Sequence, residues 1–99
     1  MNKYLVEFLG TLLLVFTIVS TGNWAAIGAA LSIAVLLGGP ISGGAFNPSV
    51  AISLYAGGNL AKQDVLPYII VEILGGLTAV FLYNKFVKPR VPTNTVTNN

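Results

Sequence analysis

The 99-residue sequence has no cysteine and no histidine, and only 8% of it is charged. The first two absences remove disulfides, thiolate chemistry, the commonest metal ligand and the commonest general base. The scarcity of charge excludes an ordinary soluble domain, where about a quarter of residues are charged. The five basic residues, which give a net charge of +2, lie near the ends of apolar segments instead of forming one patch, so nucleic acid is not an expected partner. What is abundant is apolar surface, at 55% of the residues. Between Tyr4 and Ala61 the sole formal charge is Glu7, the pattern of a chain built for lipid.

Three apolar segments are long enough to cross a bilayer, at about 4–21, 24–39 and 65–86. Eighteen helical residues span roughly 27 Å, close to the ~30 Å hydrocarbon core. Gly22-Asn23 breaks the first from the second, and Gly38-Gly39-Pro40 closes the second. One Lys precedes the first run, as in a signal peptide, but no convincing small-residue cleavage site follows, and the run reads as a retained helix. Trp24, Tyr4, Tyr68 and Tyr83 read as interfacial or packing aromatics. Lys62-Gln63-Asp64 reads as a polar surface loop, and the Pro-, Thr- and Asn-rich residues 88–99 as a solvated, flexible tail.

The segment at about 40–57 is different. Asn47 is a favoured N-cap and Pro48 suits the first helical position, so a helix starts at Pro48. Gly57-Gly58-Asn59 ends it. About ten helical residues cover only ~15 Å, half a membrane, so the segment dips in and returns on its own side. Irregular backbone at Gly43 and Gly44 survives at membrane depth only where protein buries it or water wets it. The expected fold is therefore an all-α membrane protein with three transmembrane helices and one re-entrant half-helix, forming one unit over residues 1–87. Lys3 and Lys62 fall on one face, and Lys85, Lys88 and Arg90 on the other. That near balance sets little orientation bias.

Ser42-Gly43-Gly44-Ala45-Phe46-Asn47-Pro48-Ser49-Val50 resembles the first Asn-Pro-Ala loop of the aquaporin-type channels, the major intrinsic protein family. Glu7-Phe8-Leu9-Gly10-Thr11 resembles that family's first-helix signature, and the region around Gly75-Gly76 its third helix. The resemblance covers about residues 3–86 and implies half of an aquaporin-like fold. It implies a passive pore for water or small neutral solutes such as glycerol, with no cofactor, no metal and no enzymatic activity. Asn47 would donate to a passing solute oxygen, Pro48 would stack on its counterpart, and the carbonyls of Gly43, Gly44, Ala45 and Phe46 would form an acceptor ladder. Ser49 stands where Ala is usual. Family members usually carry an Arg after the second Asn-Pro-Ala; here Val50 follows, which implies a more apolar constriction tilted toward glycerol-like solutes or gases.

Such channels contain two halves in inverted orientation, and the Asn47-Pro48-Ser49 segment occurs once in this chain. The expected partners are thus the lipid bilayer and an inverted second copy, with four such pore units by analogy. A different complementary half-chain, or a non-conducting role beside a full-length channel, is the alternative. For Glu7 two roles stand open, stabilising its own helix N-terminus or, by the resemblance, pinning re-entrant-loop amides. Glu72 lies about 10 Å along its helix, deep for a short acid. Bracing the loop by hydrogen bonds is the leading reading there, and proton relay the other. Gly10, Gly28, Gly75, Gly76 and Ala79 read as close-packing sites between helices.

Overall fold

A computed structural model describes residues 1–89. Among the described residues there are four α-helices, α1 (Lys3–Thr21), α2 (Trp24–Ser42), α3 (Pro48–Ala56) and α4 (Lys62–Leu82), and a π-helical turn, Tyr83–Val87, continues the last. There is no strand among the described residues. α1, α2 and the continuous Lys62–Val87 helix are long and apolar enough to cross a membrane, whereas the nine residues of α3 reach only about 13 Å. The chain is an all-α, multi-pass membrane protein with the architecture of half an aquaporin fold.

Side-chain caps set the helix starts. The Asn2 carboxamide accepts from the Leu5 amide at 2.8 Å, Asn23 from Ala26 at 2.9 Å and Asn47 from Ser49 at 2.8 Å. Each satisfies a donor that has no partner within its own helix. Gly22 ends α1 and Gly43 ends α2, both in the left-handed region, with φ of 54° and 88°. Only glycine takes that conformation without a Cβ penalty.

α1 is the central element, packed against α2 on one side and α4 on the other, while α3 rests on α4 alone. α1 and α4 run parallel. Lys3 meets Asp64 at one end, and Phe16 meets Tyr83 edge-to-face at the other, with ring centroids 6.2 Å apart. α2 runs back, so that its last turn lies beside the second turn of α1. Small residues make these approaches possible. A Cβ at Gly75 would come within 2.5 Å of the Phe8 carbonyl oxygen, and Ala79, one turn on, is completely buried. Gly76 and Gly28 differ from the expectation: a Cβ at Gly76 meets only Val15 at 3.5 Å, ordinary contact, and one at Gly28 meets nothing. Close packing between these helices therefore uses Gly75, not Gly76 or Gly28.

Two boundaries differ from the sequence reading. α2 continues through Pro40 to Ser42. A proline this near a helix end removes one intrahelical donor, and the helix closes beyond it through the Gly43 amide on the Gly39 carbonyl at 2.8 Å. α4 begins at Lys62, so the triplet expected as a surface loop is its first turn, and Asp64 is buried. The burial is tolerated because the Asp64 carboxylate accepts from the Lys3 ammonium and the Tyr4 hydroxyl, both at 2.7 Å. A carboxylate in a helix's first turn is favoured by the helix dipole as well. Of the tail expected at 88–99, residues 90–99 lie outside the described residues.

Candidate functional site: the re-entrant segment

The segment between α2 and α3 is only five residues, Gly43 to Asn47, and nearly all of its order comes from one side chain. Glu7 lies in the second turn of α1 and is completely buried, which removes the reading that it serves its own helix N-terminus. One carboxylate oxygen accepts from the Phe46 amide at 2.7 Å. The other accepts from the Ala45 amide at 3.1 Å and the Ser42 hydroxyl at 2.7 Å. The same Ser42 hydroxyl accepts from the Gly44 amide at 3.2 Å, while the Ser42 carbonyl accepts from the buried Tyr68 hydroxyl of α4 at 2.6 Å. α1 and α4 thus hold the segment from two sides.

Two residues of the segment point inward. Phe46 has a left-handed φ of 55°, unusual for an aromatic residue. That backbone drives its ring, 1% exposed, among Val6, Ala34, Gly10 and Gly38. A Cβ on Gly10 would overlap the ring, and one on Gly38 would sit 3.1 Å from it. Ala45 is buried with Ala51 and Tyr68. The side chains of Phe46 and Ala45 are therefore core groups, and only their main chain, expected from sequence as part of an acceptor ladder, is available to a ligand.

The main chain of the segment is asymmetric. Every amide from Gly43 to Phe46 donates a hydrogen bond: Gly43 to Gly39, Gly44 to Ser42, and Ala45 and Phe46 to Glu7. No hydrogen bond reaches the carbonyls of Gly43, Gly44, Ala45 or Phe46 among the described residues. The donors are committed and the acceptors are left over. Asn47 has the opposite character, since its side-chain oxygen is committed to the Ser49 amide, so its NH2 group remains as a donor. Asn47, Ser49 and Val50 are exposed and Pro48 half-buried. The start of α3 therefore offers a short row of acceptors, one donor and the positive end of a helix.

Glu72 of α4 lies below this point and is 1% exposed. Among the described residues neither of its carboxyl oxygens has a hydrogen-bond partner, and neither does the buried Thr11 hydroxyl, one turn along α1 from Glu7.

The description Major intrinsic protein matches this chain over residues 1–99. The chain belongs to the major intrinsic protein family. Two relatives are similar to it. The glycerol uptake facilitator protein-like 6 of Lactiplantibacillus plantarum is 38% identical over 96 residues, covering 88% of this chain and 44% of that protein. Aquaporin Z of Photorhabdus laumondii is 37% identical over 94 residues, covering 80% of this chain and 41% of that protein. The chain thus spans less than half the length of these curated relatives. No solved structure matches it significantly. Members of the major intrinsic protein family are membrane channels and not enzymes.

Sequence reasoning placed Glu7, Asn47 and Pro48 at this site. It missed Tyr68 and Ser42 as bracing groups. The one available signal for Tyr68 was its α4 face: it lies four residues before Glu72, and residues so spaced share a helix face.

Proposed function

We propose that this chain forms one half of a passive pore for water or small neutral solutes such as glycerol, completed by an inverted counterpart. A second copy of the same chain is the counterpart we favour. The observation that carries the reading is the main-chain asymmetry of Gly43 to Asn47. Free carbonyls leading to a single free NH2 suit a file of hydroxylic molecules, each accepting from one neighbour and donating to the next. An ion would have to shed its water for a partial set of ligands, and a cation would also meet the positive end of α3. The printed names of the two relatives, a glycerol facilitator and an aquaporin, support the same class of cargo. Val50, 40% exposed, adds an apolar wall that favours a solute with a carbon skeleton.

The test is stopped-flow shrinkage of liposomes holding the purified chain, with glycerol and with an impermeant osmolyte. Permeability above that of empty vesicles is expected. Asn47→Asp keeps the capping oxygen but removes the NH2 donor and adds charge, so α3 should remain folded while permeability falls. Wild-type chain that is oligomeric yet no more permeable than empty vesicles would instead establish a non-conducting structural role.

A further inference from the structure

The two ends of the helix bundle differ in how their charges are disposed. At the end where α1 and α4 begin, Lys3 is taken up by the buried Asp64 at 2.7 Å. At the far end α1 stops, α2 starts and α4 runs into its π-helical turn, and there the charge is all of one sign. Nothing from Phe8 to Ala61 is charged, and from Ile73 onward the sequence holds Lys85, Lys88 and Arg90 and no acid. Lys85 and Lys88 are exposed. Neither has an ion-pair partner among the described residues, where Lys3–Asp64 is the one pair.

The height of these groups follows from length and from the aromatics around them. The 26 residues of Lys62–Val87 extend about 39 Å, more than the ~30 Å hydrocarbon core, so the helix reaches into the headgroup layer. Trp24, 85% exposed at the start of α2, marks the same level. The Lys85 ammonium lies 5.8 Å from the ring centroid of Phe81 and 5.9 Å from that of Phe86, and both rings are exposed. A cation held against two exposed rings at a bilayer surface has an apolar layer on one side and phosphates on the other.

We propose that Lys85 and Lys88, with Phe81 and Phe86, form a docking site for an anionic phospholipid, its phosphate on the two ammonium groups and its acyl chains against the two rings. Charge complementarity selects the lipid. A zwitterionic headgroup carries its own cation and gains less from two lysines with no acid beside them. Free phosphate supplies the charge but leaves the rings uncovered.

The chain has one tryptophan, so the double change Trp24→Phe, Phe86→Trp keeps an aromatic ring beside Lys85 and makes it the sole reporter. Its fluorescence is followed in phosphatidylcholine vesicles doped with acyl-brominated phosphatidylglycerol or, in parallel, acyl-brominated phosphatidylcholine. Stronger quenching by the glycerol lipid is expected, with a preference of about fivefold per lysine at low salt that declines as salt is added. Adding Lys85→Gln and Lys88→Gln should abolish the preference, whereas Lys62→Gln, at the opposite end, should leave it intact. Inorganic phosphate should displace the lipid no better than chloride at equal ionic strength. Equal quenching by the two lipids would overturn the proposal, as would a preference that survives loss of both lysines. Selective displacement by phosphate would mean a free-anion site and overturn it too. Should the reporter chain fail to fold, spin-labelled phosphatidylglycerol and phosphatidylcholine bound to the unmodified chain decide the same question, equal binding refuting the site. None of these readouts requires conduction or an inverted partner, so failure of the pore reading would leave this inference standing.

Discussion

Replacing Glu7 with Gln exchanges one carboxylate oxygen for an NH2 group at almost no change in volume, which makes it the sharpest test of what orders the re-entrant segment. The Gln carbonyl can keep the 2.7 Å bond from the Phe46 amide. Its NH2 group then faces the Ala45 amide and the Ser42 hydroxyl, where a carboxylate oxygen now accepts from both. The hydroxyl can turn, since the Gly38 carbonyl already lies 3.3 Å away as another acceptor. The Ala45 amide has no such recourse. One orphaned buried amide costs about 1–3 kcal/mol, and loss of charge assistance on the surviving bond roughly 1 kcal/mol more. A total of about 2–4 kcal/mol corresponds to a roughly 30- to 900-fold rise in local opening. Hydrogen exchange in bilayers or detergent should therefore show protection at Ala45 and Phe46 collapsing by that factor, while the middle of α1 is unchanged. Unchanged protection at both amides in a folded Glu7→Gln chain would refute the claim that this carboxylate orders the segment.

Other substitutions separate packing from chemistry. Gly75→Ala forces a Cβ to within 2.5 Å of the Phe8 carbonyl, so α1 and α4 must part and thermal stability in detergent should drop by about 1–3 kcal/mol. Gly28→Ala meets nothing and should instead gain about 0.5–1 kcal/mol from helix propensity. If the two changes shift the melting temperature alike, the inferred helix contact is wrong. Phe46→Ala should lose about 3–5 kcal/mol by emptying the space between Gly10 and Gly38, without admitting larger solutes. Widened selectivity with unchanged stability would mean that the ring lines the pathway after all.

The parts of this fold legible in the sequence were those written in local chemistry. Asn47-Pro48 announces a helix start through capping and a missing amide, and a following stretch that covers only about half of what α1 spans makes it re-entrant. Gly22-Asn23 is equally local, combining a left-handed stop with the next cap. Features set by distant partners were not legible. Asp64 reads as a solvated loop acid until Lys3 and Tyr4, some sixty positions earlier, are known to enclose it. Phe46 sits in a five-residue stretch with no periodicity, so nothing local tells whether its ring turns to the pathway or to the cleft that Gly10 and Gly38 open. Glu72 shows its depth in its position along α4, but not its surroundings, because the α1–α4 crossing depends on where Gly75 lets the helices touch.

The uncovered side of α3 is the face that the counterpart proposed above would close. α3 packs on α4 alone and leaves Asn47, Ser49 and Val50 uncovered, beside four carbonyls without hydrogen-bond donors. Against hydrocarbon each such group would cost several kcal/mol, more in sum than the small helix contacts of α3 return. Water alone does not relieve the cost, because a water column open to lipid along one side is itself unstable. The arrangement becomes favourable when protein closes the open side and water fills what remains. The inverted copy proposed above would do this with the same residues, its Pro48 meeting this Pro48 at the midplane, its Asn47 adding a second donor there, and its carbonyls continuing the row toward the opposite face. Single cysteines introduced at position 3 should then label from both sides of the membrane. Labelling from one side only would mean that the closing half is a different sequence.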